Sequence, residues 1–179
     1  MIIRSSNLNN NNASRGGVNY NFRDLQIIKS TFKNNKVTTN AAVTYNDKGT
    51  VTITDSTFES NTANGNGGVN YNNNGKMTIT NSKNIKNTAT RGGVNYNFGT
   101  MTIDKSTFTQ NTATMNGGVN FNDKGTLTIK NCNSTSNTAQ RAANTYNNVN
   151  GILKTENLKS QNEKSTLNPE NILNFGKRL

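Results

Sequence analysis

Acid–base catalysis near neutral pH needs a titrating side chain held close to a partner. The chain has 179 residues, with no His, one Cys and nine Asp and Glu, so candidates are few. Asp47 and Asp123 each open an Asp-Lys-Gly turn, Asp47-Lys48-Gly49 and Asp123-Lys124-Gly125, while Asp55 and Asp104 stand in other contexts. Two carboxylates act as an acid–base pair, or hold one cation, only when they share a site. Cys132 has no second Cys to bond and no His to activate it. A third candidate set is suited to binding rather than catalysis. Thr50, Thr52, Thr54, Thr78, Thr80, Thr100, Thr102, Thr126 and Thr128 recur in short alternating segments. Laid side by side as strands, those segments would present a hydroxyl grid.

The elements that would position these residues are visible as a repeat. A Gly-Gly pair, or Ala-Ala in its place, begins at Gly16, Ala41, Gly67, Gly92, Gly117 and Ala142. An aromatic follows four residues on: Tyr20, Tyr45, Tyr71, Tyr96, Phe121 and Tyr146. An Asn comes directly after it: Asn21, Asn46, Asn72, Asn97, Asn122 and Asn147. A second segment alternates apolar and polar residues, as in Val51-Thr52-Ile53, Met77-Thr78-Ile79, Met101-Thr102-Ile103 and Leu127-Thr128-Ile129. Period-two alternation marks a half-buried strand. A third segment reads Ser-x-Phe-x-x-Asn at Ser30/Phe32/Asn35, Ser56/Phe58/Asn61 and Ser106/Phe108/Asn111, with Cys132 at the Ser position of a weaker copy.

Composition agrees with a repeat array. Hydrophobic residues make up 30 % of the chain, against roughly 45–50 % in an ordinary globular domain. A compact globule of this mixture would bury too little apolar surface to offset its chain entropy. Stacked coils need only a thin core, and stacking sets like on like about 4.8 Å apart. The expected fold is all-β: a right-handed parallel β-helix of about six coils, each of roughly 25 residues with three short strands. Residues 1–158 form the repeats in this reading, and 159–179 a C-terminal cap or tail. Asn168-Pro169-Glu170 reads as the start of a short capping helix that uses Ile172, Leu173 and Phe175. The Asn after each Phe is expected to turn inward and form an amide ladder. By apolar character Val69 and Tyr71 point inward. Met1 and Ile3 align with Met101 and Ile103, so the chain begins within a coil and is expected to be part of a longer polypeptide.

The formal net charge is +11. Lys and Arg are spread through the turns, with no run longer than Lys177-Arg178, which indicates a solvated surface rather than a nucleic-acid site. No apolar stretch is long enough to cross a membrane.

Gly67-Gly68-Val69-Asn70-Tyr71-Asn72, followed by Ser-x-Phe-x-x-Asn, resembles the repeats of polymorphic outer-membrane-protein-type and adhesin-like proteins of bacteria and methanogenic archaea. Those repeats carry Gly-Gly-Ala-Ile and Phe-x-x-Asn motifs on a pectate-lyase-like β-helix. The resemblance spans about residues 1 to 158. It implies an extracellular or cell-surface protein whose partners are glycans or a neighbouring cell. The chain departs from the family at Asn19, Asn70, Asn95 and Asn120, where the family has an aliphatic residue. The family's strand register would point Asn70 and Asn72 inward instead of Tyr71. Enzymes of this fold, polysaccharide lyases and hydrolases, cluster their acids on one face, and a lyase- or hydrolase-like β-helix is the second alternative to the binding readings. Here Asp47 and Asp123 fall three coils apart, about 14 Å at the β spacing, so no enzyme activity, metal or cofactor is expected. The best reading is a non-catalytic adhesin-like surface. The Thr grid also resembles the flat arrays of ice-binding solenoids, interrupted by Lys76, Asp104 and Lys130.

Overall fold

The computed structural model describes residues 1–168 and 171–178, with no account of the Asn168 and Arg178 side chains. The chain winds as a parallel β-solenoid with four sheets, of eight, seven, seven and seven strands. One coil shows the plan. Thr100–Asp104 lies in sheet A, Thr107–Thr109 in sheet B, Thr112–Asn116 in sheet C and Asn120–Asn122 in sheet D. The next coil re-enters sheet A at Thr126–Lys130. Every strand pairs in parallel with its counterpart one coil away, as in Met77↔Met101 and Ile79↔Ile103.

Each corner of this coil turns on one residue in the left-handed region: Lys105 (φ 49), Gln110 (φ 56), Gly117 (φ 66) and Lys124 (φ 65). A positive φ costs least for Gly, and Gly holds four of the six Gly-Gly/Ala-Ala corners, with Ala41 and Ala142 at the others. The second glycine of the pair answers to crowding instead. A Cβ on Gly93 would collide with the carbonyl oxygens of Gly118 and Thr112.

The core is a set of stacked columns. Val51, Met77, Met101 and Leu127 form one, and Ile27, Ile53, Ile79, Ile103 and Ile129 another, all nearly free of solvent contact. Phe32 and Phe58 stack with centroids 5.1 Å apart. A small second cluster of Val37, Ala42, Ala63 and Ala89 fills the corner under sheet C. The Asn that follows Phe lies inside, as its spacing implies. Nδ2 of Asn11 donates to Asn35 Oδ1, and the chain of amides continues through Asn61, Asn87, Asn111 and Asn137 at 2.8–3.0 Å. Glu163 ends the ladder: it accepts from the backbone N and Nδ2 of Asn137. A last acceptor has nothing further to donate to, so a carboxylate serves there.

Four expectations need correction. Each coil has four strands, not three. The missed strand is only two residues long in early coils, at Lys36–Val37 and Thr62–Ala63. It follows directly on the ladder Asn, so bent chain reads as one segment. There are about seven turns rather than six, because the ladders continue where the motif residues have decayed, at Lys159–Gln161 and Lys164–Asn168. No helix occurs among the described residues. Ile172–Asn174, expected to be helical, is a strand paired with Thr145–Asn147. The open edge of sheet D offers it backbone partners, and Asn147 Nδ2 donates to Asn174 Oδ1 at 2.6 Å. Pro169 and Glu170 of the expected helix start lie outside the described residues.

Tyr71, expected to point inward, does not. Val69 is in the core, but Asn70 and Asn72 are the buried residues of the strand, and Tyr71 faces outward. The inward Asn residues satisfy each other. Asn21, Asn46, Asn72, Asn97, Asn122 and Asn147 form a second amide ladder, and its inner members also donate to the carbonyls of Gly49, Gly75, Gly99, Gly125 and Gly151. The rings meanwhile shed water by stacking on one another outside the coil.

Candidate functional site

Two outward faces gather the groups that could bind. The first is sheet A. Its pairing sets Thr52, Thr78, Thr102 and Thr128 in one unbroken column, between Gln26 and Lys154. Thr50, Thr100 and Thr126 share a second column, interrupted by Lys76, and Thr54 and Thr80 a third, which continues as Asp104 and Lys130. All nine threonines are exposed or half-buried, because their neighbours Val51, Ile53, Met77 and Ile79 take the inward positions. Among the described residues, the hydroxyls of the unbroken column have no protein partner. Lys130 and Glu156 form an ion pair of 3.2 Å at one end of this face.

A second threonine column was missed in the sequence. Thr62, Thr88, Thr112 and Thr138 pair in sheet C, and the hydroxyls of Thr112 and Thr138 lie 3.0 Å apart. The signal was the recurring Asn-Thr-Ala, at Asn61-Thr62-Ala63, Asn87-Thr88-Ala89, Asn111-Thr112-Ala113 and Asn137-Thr138-Ala139.

The second face is sheet D, with its outward aromatic column. Tyr20, Tyr45, Tyr71, Tyr96, Phe121 and Tyr146 stack with successive centroids 4.7–5.1 Å apart. Ring faces cover ring faces, so solvent meets edges and phenol hydroxyls. Burial in the stack pushes Tyr71 up to about 12, helped by the neighbouring Tyr45 and Asp123. Tyr96 is raised further, first by burial and then by the hydrogen bond it donates to Asp123. That bond, from Tyr96 Oη to Asp123 Oδ2, is 2.7 Å. Asn148 Nδ2 donates to the other carboxylate oxygen at 2.9 Å.

The four candidate aspartates do not come together. Asp47 accepts from Asn73, Asp55 from Asn81 and Asp104 from Asn131. No group of three Cys, Asp and Glu that could hold a metal ion occurs among the described residues. Cys132 takes the Ser position of its column as expected. Its Sγ lies 3.0 Å from Lys130 O, as Ser106 Oγ lies 2.9 Å from Asp104 O. Burial pushes its thiol up to about 11, away from the thiolate form that reacts.

Comparison with protein-family models, curated proteins and solved structures finds no match. No helix among the described residues is long and apolar enough to cross a membrane.

Proposed function

We propose that the protein is a non-catalytic, adhesin-like solenoid of the cell surface or extracellular space, which binds extended glycans through its regular polar faces. The observation that carries this reading is the unbroken column Thr52, Thr78, Thr102 and Thr128 on sheet A. Its hydroxyls repeat once per coil and have no protein partner among the described residues. A column of identical weak hydrogen-bonding groups suits a ligand that is itself repetitive, where avidity supplies the strength. The polymorphic outer-membrane-protein-type resemblance points the same way. The coil is read as right-handed, because parallel crossover connections almost always are.

Dispersion of Asp47, Asp55, Asp104 and Asp123 supports the non-catalytic part, since each is engaged with an Asn. Ice binding is the second reading, because the same column is regular and hydroxyl-rich. Lys76, Asp104 and Lys130 break the columns beside it, which favours glycans.

The test is retention of the protein on immobilised pectin, alginate and peptidoglycan, with Thr102→Tyr as the variant. Binding should fall at least fivefold on substitution. Thermal hysteresis abolished by Thr102→Tyr would establish the ice reading instead. Turnover of any of these polymers, lost on replacing Asp47, Asp55, Asp104 or Asp123, would overturn the non-catalytic reading.

A further inference from the structure

The aromatic column of sheet D has one irregular level. Phe121 lacks the hydroxyl that Tyr96 and Tyr146 carry on either side. A notch opens there, lined by Arg91 and Asn116 on one flank and Asp123 and Asn148 on the other. Arg91 and Asn116 are register partners at the end of sheet C. The carboxylate of Asp123 is held from both sides, by Tyr96 Oη at 2.7 Å and Asn148 Nδ2 at 2.9 Å. It is therefore fixed in position and keeps lone pairs for a ligand. Ion pairs among the described residues are Lys33–Glu59 and Lys130–Glu156, so Arg91 and Asp123 line the notch without closing it.

The chain contains its own comparison. Arg15, Tyr20, Asp47 and Tyr45 precede Arg91, Tyr96, Asp123 and Phe121 by 76 residues each, three coils earlier. Asn73 donates to Asp47 at 2.9 Å, as Asn148 does to Asp123. The two constellations match in residue type except at the ring, but among the described residues only the later one has the tyrosine hydroxyl bonded to the carboxylate, Tyr96 to Asp123. At the earlier level Tyr45 keeps its hydroxyl, and the Arg15 guanidinium lies over the Tyr45 ring at 5.1 Å. The same residue types thus occur twice, but the carboxylate is held from both sides only at the later level, beside a phenylalanine that lines the notch.

We infer that the notch at Phe121 is a binding site for one pyranose residue of a neutral glycan. A fixed carboxylate accepts from sugar hydroxyls, while the Arg91 guanidinium and the Asn116 amide donate to them. Charges of both signs in one slot disfavour polyanions and polycations alike. An extended β-linked pyranose chain advances by nearly one coil height per residue. Flanking sugars would therefore lie over the hydroxyl-bearing edges of Tyr96 and Tyr146. This site is on a different face from the threonine grid and shares only the ligand class with the proposed function.

The experiment titrates the full chain with cellotetraose and follows backbone amide shifts by NMR. Shifts should concentrate at Asn116, Asp123 and Asn148. Phe121→Tyr, which restores the hydroxyl found at the other levels, should weaken binding at least tenfold, as should Asp123→Asn. Thr102→Tyr should leave this binding unchanged even if it removes retention on polysaccharide columns. No saturable shifts at millimolar sugar, shifts confined to sheet A, or displacement of the sugar by free glycine at equal concentration would each overturn the assignment.

Discussion

Asparagine inside a hydrophobic coil is costly unless all of its amide is used. The ladders meet that condition by translation: each Nδ2 points at the next Oδ1, one coil along. The inner ladder of Asn70, Asn95 and Asn120 shows what happens when a member is replaced. Asn70 donates to Asn95, and Asn95 to Asn120, each at 2.9 Å. On the other side of Asn70 the register partner is Thr44, followed by Asn19. Asn19 Nδ2, Thr44 Oγ1 and Asn70 Oδ1 are all buried without a partner. The ladder breaks at Thr44 and leaves three orphans, whereas at its other end Thr145 accepts from Asn120 at 3.2 Å. Thr44→Asn should join the two ends, donating to Asn70 and accepting from Asn19. An unmet buried polar atom costs about 1–3 kcal/mol, so a gain of about 1 kcal/mol is expected even if only part of the ladder forms. Urea unfolding of the variant measures it, and a loss of stability would show that the column has no room for the longer side chain.

At the scale of the strand, a coil is defined by which residues turn in. Phe58 is fully buried and stacked on Phe32, whereas Thr78 lies on the outer side of sheet A. Phe58→Ala should destabilise by about 3–5 kcal/mol through the cavity it leaves, and Thr78→Ser by under about 0.5 kcal/mol. Equal losses in thermal unfolding would contradict this register. The alternation of Met77-Thr78-Ile79 made the sheet A register legible from sequence, because inward and outward residues there differ in polarity. Asn70-Tyr71-Asn72 was not legible by the same rule. Its buried residues are polar and its outward residue aromatic, and only the ladder across coils explains why. The two-residue strand Thr62–Ala63 carries no period at all, so its face emerged only with the pairing. Among candidate site residues, the sheet A threonines could be read in advance. Asp123 could be placed in a turn, but not beside Tyr96, because that contact joins two coils.

The stack of aromatic rings runs the length of the solenoid and couples its stability to alkaline pH. Tyr71 is pushed up to about 12 from its ordinary 10.0, chiefly by burial, and Tyr45 and Tyr96 are raised for the same leading reason. These phenols keep their protons in the folded chain at pH values where the unfolded chain has begun to lose them. Stability falls with rising pH wherever the native state binds more protons than the unfolded state. Their contribution is therefore whole below about pH 10 and is lost as the pH climbs through the raised values, near 12 for Tyr71. Lysines also discharge in this range, so the wild-type curve alone does not isolate the rings. Tyr71→Phe does, because it keeps the stack and removes one titrating group. Against wild type it should lose less stability between pH 9 and pH 12, by about 1–2 kcal/mol for a two-unit shift discounted for partial exposure. Urea midpoints measured across that window give the comparison. Parallel curves for the two proteins would mean that the ring edges are wet enough for Tyr71 to ionise in the folded solenoid as it does in the unfolded chain.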